Sequence, residues 1–275
     1  MNSVRIARVG LHYFEEPCIS GDSGSGTIFF SGCTLKCKFC QNYNISHLNE
    51  GIDISLEQLE KCFYYLQDLG ANNINLVTPG LYVPQIKEAL EKAKPNLKIP
   101  VVWNSSGYES TKSIEMMRGL VDIFLPDFKY SDDNLAIQYS NARNYREIAF
   151  KAISKMREIC PVDEFDDNGL MKKGVIVRHL VLPTYVENSF GVIDDIAKID
   201  KTLYVSIMSQ YFPTKNVLDD EILSQRVSAE DYDKVVDHFF EKGLKNGFSQ
   251  DAESAIEDYV PSFDLQNLVD ILKKL

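Results

Sequence analysis

From about residue 27 onward, short apolar runs alternate with amphipathic stretches, and this alternation limits the possible folds more than any other feature. TIFF (27–30), INLV (74–77), IPVVW (99–103), DIFLP (122–126), VIVRHLVLP (175–183) and LYVSIM (203–208) read as strands. Helical patterns lie between them. Over 55–69, Leu56, Leu59, Phe63 and Leu66 share one face, Ser55 and Gln58 form a capping box, and Gly70 supplies a stop. Further helices are predicted over 83–93, 114–120, 132–159 in two pieces, 188–199, 229–242 and 265–275, with 161–174 a polar loop or small hairpin. Strands alternating with helices mean parallel βαβ units. Six such units predict an α/β fold, a (β/α)6 partial TIM barrel. It forms one domain over 1–275, with 1–26 an N-terminal extension, 27–250 the barrel and 251–275 a tail. In barrels of this kind the chemistry sits on loops at the C-terminal ends of the strands.

With 44% hydrophobic residues, a full core needs no disulfide or metal support. The net charge of −11 argues against general nucleic-acid binding, which depends on Lys and Arg contacts to phosphates. No stretch approaches the roughly 20 apolar residues of a membrane span, and MNSVRIARVGLHYF at the N-terminus has no long apolar run. The expected compartment is the cytoplasm. Six cysteines are then not a disulfide scaffold; three are packed into residues 33–40, the pattern of a metal or catalytic site.

That segment, FFSGCTLKCKFCQNYNIS, has the spacing Cys-x3-Cys-x2-Cys at Cys33, Cys37 and Cys40, directly after the first predicted strand. Iron–sulfur cubanes take thiolates, usually four. Three leave one iron open to bind a substrate. Phe39, just before the last cysteine, is placed to cover a cluster or ligand. A zinc knot of Cys33, Cys37, Cys40 and His47 is the alternative, although its spacing is uncommon for structural zinc.

The spacing, Phe39 and the βα units that follow resemble the radical S-adenosylmethionine superfamily. The resemblance extends to the pyruvate formate-lyase activating enzyme family and, more closely, to an uncharacterised activating-enzyme-like branch. It is carried by residues 11–21, 24–33, 40–46, NLVTPG (75–80), WNSSGYE (103–109), LPDFKY (125–130), VRHLVLP (177–183), SIMSQYFP (206–213) and 249–264. It implies one [4Fe–4S] cluster on Cys33, Cys37 and Cys40 and S-adenosyl-L-methionine as cofactors. The open iron chelates the amino and carboxylate groups of S-adenosylmethionine, and reduction cleaves it to methionine and a 5′-deoxyadenosyl radical.

By the same resemblance, Thr78, Pro79 and Gly80 stand where the family has a Gly-Gly-Glu contact to the cofactor's amino group. Asn104, Ser105, Ser106 and Gly107 stand where it often has Asp-Thr-Asn-Gly, so Asn104 and Ser106 become candidate cofactor ligands. Asp127 and Lys129, two apart at a strand end, face the same way, and the family's lysine meets the carboxylate of S-adenosylmethionine. Arg178 and His179 interrupt an apolar strand. A charge there must be paired or face a cavity, which places Arg178 near the cofactor; His179 is either beside it or a hydrogen-bonded core histidine. The expected substrate is the glycine backbone of a glycyl radical enzyme, with a flavodoxin- or ferredoxin-type electron donor. A peptide or small-molecule substrate is the second reading, and a non-catalytic zinc or iron–sulfur module the third.

GDSGSG (21–26) precedes a strand and reads as a flexible loop. Cys62 and Cys160 read as packing. For Cys18, His12, Glu15 and Glu16, burial and a place in the cavity both remain open.

Overall fold

The structure, a computed structural model, describes residues 3–249 and 261–275. The stretch 250–260, which holds the proposed barrel–tail boundary and most of the resembling segment 249–264, lies outside the described residues. The strands are β1 (Ser3–His12), β2 (Ser25–Phe30), β3 (Ile52–Ser55), β4 (Ile74–Val77), β5 (Val101–Ser105), β6 (Ile123–Pro126), β7 (Glu164–Phe165), β8 (Met171–Leu180), β9 (Tyr204–Met208) and β10 (Asn246–Ser249). They join one sheet in the order β10-β9-β8-β6-β5-β4-β2-β1-β3, with β7 added against β8. Every pair from β2 across to β10 is parallel; β1–β2, β1–β3 and β7–β8 are antiparallel. Among the described residues β10 and β3 are the two ends of this order, so the sheet is open.

The helices are α1 (Pro17–Ser20), α2 (Tyr43–Ser46), α3 (Leu56–Asp68), α4 (Val83–Ala93), α5 (Thr111–Glu115), α6 (Asp133–Ser140), α7 (Tyr145–Ile159), α8 (Val186–Ile199), α9 (Ala229–Glu241) and α10 (Leu265–Leu272). The capping box at α3 forms as the sequence predicts: the Ser55 hydroxyl accepts the Gln58 N–H at 3.1 Å, and the Ser55 N–H donates to Gln58 Oε1 at 3.0 Å. One face of each parallel strand packs against the helices in the main core, which includes Ile28, Phe30, Leu76, Trp103, Phe124, Val177 and Val205.

The opposite face carries a second, smaller core of Val102, Ile123, Leu125, Met171 and Ile176. Cys18 and Ile19 join it, so the segment between β1 and β2 folds onto the inner face of the sheet. Above this plug the inner positions turn polar: Asn75 on β4, Asn104 on β5, Asp127 after β6, Arg178 on β8 and Ser206 on β9.

Three local expectations change. The helix expected over 114–120 instead spans Thr111–Glu115, with the Ser110 hydroxyl accepting the Ser113 N–H as its cap. Residues 3–12 are a paired strand of the sheet, and the GDSGSG stretch is not wholly a loop, since Ser25 and Gly26 begin β2. Gly26 is needed there because a Cβ would lie 2.7 Å from the Asn73 carbonyl oxygen.

Candidate functional site

The strand ends open onto a cavity of about 790 Å³. That lies within the range of roughly 300–1,000 Å³ for small-molecule sites. Its wall includes Phe39, Cys37 and Cys40 from the cysteine loop, Asn104, Asp127, Lys129 and Arg178 from the strand ends, and Glu15 and Glu16 from the segment after β1.

The cysteine loop is fixed from below by α6. Lys36 N–H donates to the Ser140 carbonyl at 2.9 Å and Lys38 N–H to that of Tyr139 at 2.8 Å. Each sulfur has a polar neighbour. Leu35 N–H lies 3.4 Å from Cys33 Sγ, the Ser140 hydroxyl 2.9 Å from Cys37 Sγ, and the Ser46 hydroxyl 3.2 Å from Cys40 Sγ. All three thiols are free. Burial pushes the Cys37 thiol up to about 12 and raises Cys33 as well, while the nearby Lys129 ammonium pulls both down. Burial raises Cys62 to about 12 too, so acidity does not separate Cys37 from a packed cysteine. Place does, because Cys62 is sealed in the helix-side core.

These donors fit an iron–sulfur cubane. Three free thiols share one ordered loop; two of them, Cys37 and Cys40, line the cavity, and hydrogen bonds to sulfur are among the features that tune such clusters. Among the described residues no three His, Cys, Asp or Glu side chains converge as around a single ion; a cubane sets each thiolate on a different iron and needs no such convergence. His47, the fourth ligand of the zinc alternative, is instead engaged with the Ser46 hydroxyl at 2.9 Å and stacked on Tyr43 at 4.2 Å.

Behind the loop runs a continuous charged chain. Lys129 Nζ binds Asp127 Oδ2 at 2.6 Å, Arg178 Nε binds Asp127 Oδ1 at 2.9 Å, and Arg178 Nη1 binds Glu15 Oε2 at 3.1 Å. Asn104 Oδ1 of the side-chain amide accepts from Arg178 Nη2 at 2.5 Å, and the Asn75 side chain donates to Glu15 at 3.1 Å. Burial would raise Asp127, but Lys129 and Arg178 hold it below the usual carboxylate range. Burial would lower Lys129, yet Asp127 holds it above the usual lysine range. For Glu15 burial prevails, and its carboxyl is raised despite Arg178. The Tyr145 hydroxyl ties the chain to the scaffold, accepting the Lys129 N–H at 2.9 Å and reaching the carbonyls of Ser106 and Asp127 at 2.9 and 3.1 Å.

Other candidates lie elsewhere. Thr78, Gly80 and Ser106 line a separate gap of about 10 Å³ with Thr34 of the cysteine loop. That is room for about one water. Pro79 is buried beside it. Thr78 adopts φ 58°, a left-handed backbone that is costly for a β-branched residue and free for glycine. Its position is the one where the resembling family has a glycine. His179 faces away from the cavity, fully buried between the Phe128 carbonyl and the Ser189 hydroxyl at 2.8 Å each. Arg178 and His179 thus take opposite faces of β8, as strand alternation requires.

Sequence reasoning left Glu15 and Glu16 undecided and passed over Tyr145 and Glu109. Glu109 is buried, accepting Trp103 Nε1–H at 2.9 Å and the Ser105 hydroxyl at 2.5 Å. GYE in the quoted stretch 103–109 was the available signal for it.

An open, mostly parallel α/β sheet with a three-cysteine loop at the mouth of its cavity defines a partial-barrel protein of the iron–sulfur type. The Radical SAM superfamily pattern matches residues 27–193, and the chain belongs to that superfamily. One relative is the uncharacterized protein MJ0674 of Methanocaldococcus jannaschii, 30% identical over 223 residues. The match covers 78% of this chain and 61% of that protein, so the chain spans less than two thirds of the relative's length. Among solved structures, Streptococcus suis SuiB bound to precursor peptide SuiA aligns with a TM-score of 0.55 and 14% identity, covering 80% of this chain and 47% of that one. Methylornithine synthase (PylB) aligns with a TM-score of 0.55 and 12% identity, covering 88% and 78%. Those likenesses are of fold. Membership of that superfamily implies a [4Fe–4S] cluster and S-adenosylmethionine as cofactors. No helix among the described residues is long and apolar enough to cross a membrane.

Proposed function

We propose that Cys33, Cys37 and Cys40 hold the cluster, and that the cavity admits a segment of polypeptide from which a hydrogen atom is removed. The glycine backbone of a glycyl radical enzyme is the first candidate. When bound, the cluster and S-adenosylmethionine supply one-electron cleavage of the sulfonium to methionine and a 5′-deoxyadenosyl radical.

The observation that carries the reading is the open sheet, with its polar inner strand ends and the cysteine loop on one cavity. An unclosed barrel leaves a side through which a loop of another protein can enter. Lys129 binds the cofactor's carboxylate. Asp127 and Arg178 hold Lys129 in place through the ion-pair chain. Phe39, set edge-on to Tyr211 at 5.9 Å, covers the cluster side, and Phe29, Val77, Leu180 and Met208 keep water from the reacting groups. A flavodoxin- or ferredoxin-type protein supplies the electron.

The cavity volume favours a second reading, modification of a peptide or small molecule held within it. SuiB, with its bound precursor peptide, and methylornithine synthase share the fold.

The test is anaerobic. With dithionite, loaded protein forms methionine and 5′-deoxyadenosine without substrate. Adding a glycyl radical enzyme from the same organism gives a stable protein radical by electron paramagnetic resonance, its splitting altered by deuteration at the glycine Cα. If 5′-deoxyadenosine forms and no glycyl radical enzyme gains a radical, the second reading replaces the first. A fully loaded cluster that yields no 5′-deoxyadenosine overturns both.

A further inference from the structure

The charges of the cavity do not balance. Among the described residues that line it, Glu15, Glu16 and Asp127 supply three carboxylates, and Arg178 and Lys129 supply two cations. Both cations are already engaged, Lys129 by Asp127, and Arg178 by Asp127, Glu15 and the Asn104 amide oxygen. Glu16 is the remainder. It is 7% exposed and lines the cavity, and among the described residues nothing donates to its Oε2. Ser206 is its side-chain hydrogen-bond partner, and Arg178 and Glu15 are the charged groups that act on it.

The local backbone makes this more than a by-product of packing. Glu16 is the N-cap of α1, and its carbonyl accepts Ile19 N–H at 2.7 Å and Ser20 N–H at 3.0 Å. Its side chain makes no capping hydrogen bond. The carboxylate is instead spent on the cavity, on a turn held rigid by Pro17. The cavity is also polarised. Lys129 is the cavity-lining cation that acts on both Cys33 and Cys37, whereas Glu16 acts on Arg178, at the other end of the charged chain.

We propose that Glu16 anchors the substrate by binding a positively charged nitrogen, an ammonium or guanidinium at the end of an alkyl chain. The inference rests on the cavity being the substrate chamber of a radical enzyme, and it narrows the substrate to molecules with a lysine-like, arginine-like or free amine group. A buried carboxylate oxygen without a donor, as Glu16 Oε2 is among the described residues, is completed by a cation that brings N–H donors. Burial raises both Glu15 and Glu16. Glu15 has Arg178, Asn75 and Asn104 as donors, whereas Glu16 Oε2 has none among the described residues, so the arriving cation's N–H groups find their acceptor on Glu16.

The test is calorimetric titration of the cluster-loaded protein with n-butylammonium, n-butylguanidinium and neutral 1-pentanol. The cations bind and 1-pentanol does not. Glu16→Gln weakens cation binding about tenfold or more, as loss of a charge-assisted hydrogen bond requires. Glu16→Asp keeps part of the affinity. If Glu16→Gln fails to fold, the wild-type affinity still reports: it rises with pH and then levels off. Short peptides containing Lys or Arg, compared with the free amines, distinguish a polypeptide source from a metabolite. Equal binding of 1-pentanol and n-butylammonium, or an affinity unchanged in Glu16→Gln, overturns the proposal. 5′-Deoxyadenosine formation without substrate separates this result from the underlying reading: that product without cation binding refutes the Glu16 anchor alone, and cation binding without that product refutes the radical reading alone.

Discussion

Arg178 on β8 and Asp127 just past β6 face each other across a parallel bridge, with guanidinium Nε 2.9 Å from carboxylate Oδ1. Their side chains are 14% and 15% exposed, and Glu15 on the far side of the guanidinium is 9% exposed. A cation so placed is the keystone of the inner wall. Arg178→Met leaves two buried carboxylates facing each other with Lys129 alone to offset them. Removing one partner of a buried pair costs about 3–5 kcal/mol. Urea denaturation of Arg178→Met is expected to show a loss of that size. Adding Glu15→Gln restores part of it, since the two residues are in contact and their effects do not add. A loss below about 1 kcal/mol would mean that water already screens the chain.

The cluster prediction follows from the loop. Loaded wild-type protein is brown and holds about four irons, the content of one cubane. Changing Cys33, Cys37 or Cys40 to Ala removes most of the iron, whereas Cys62→Ala, in the helix-side core, leaves it. Iron content and visible absorbance of the four variants decide the point. Tightly bound zinc in a colourless protein would count against it.

How far the sequence foretells this arrangement depends on the local signal. Six of the seven parallel strands, β2, β4, β5, β6, β8 and β9, are visible as apolar runs, because a strand covered on both faces cannot alternate freely with polar residues. β1 is not visible, because a bulge between Ile6 and Arg8 breaks its alternation. Nor is β10, whose Asn-Gly-Phe-Ser has no apolar run and whose Gly247 is required where a Cβ would meet the Val205 carbonyl oxygen at 2.2 Å. The site divides the same way. Lys129, Asp127 and Arg178 stand out as charges at strand ends. Glu15 and Glu16 belong to a segment without periodicity, and Glu15 reaches Arg178 across 163 residues of chain, a contact that only the folded sheet creates.

Lys129 separates cofactor binding from cluster assembly. Its ammonium sits 2.6 Å from Asp127 and close enough to Cys37 for their charges to interact, without being a ligand. A carboxylate gains roughly 1.5–3 kcal/mol from a charged hydrogen bond. Lys129→Ala should therefore weaken S-adenosylmethionine binding about tenfold or more while iron content stays at the wild-type level. Calorimetry on the loaded variant measures the first and iron analysis the second. Unchanged affinity removes Lys129 from the cofactor's site.

His179 gives a pH signature independent of any cofactor. Burial, with Lys129 adding to it, lowers its imidazole to about 4 from an ordinary value of 6.5. The Phe128 carbonyl and Asp127 oppose that shift. The fold therefore holds the neutral ring between Phe128 and Ser189, and on acidification the unfolded chain takes up the proton first. The stability it contributes is fully present above pH 6.5 and is lost as pH falls toward about 4. Its share of the slope is about 1 kcal/mol per pH unit in that window. His12, also lowered to about 4 by burial and by Arg8, contributes with the same sign, and the raised Glu15 and Glu16 with the opposite sign. Those groups remain in His179→Gln, so the variant isolates one residue. Its unfolding free energy, measured by urea between pH 4 and 8, should fall less steeply on acidification than that of the wild type, by about one proton's worth of slope. Parallel curves for the two proteins would mean that His179 titrates alike in the folded and unfolded chains.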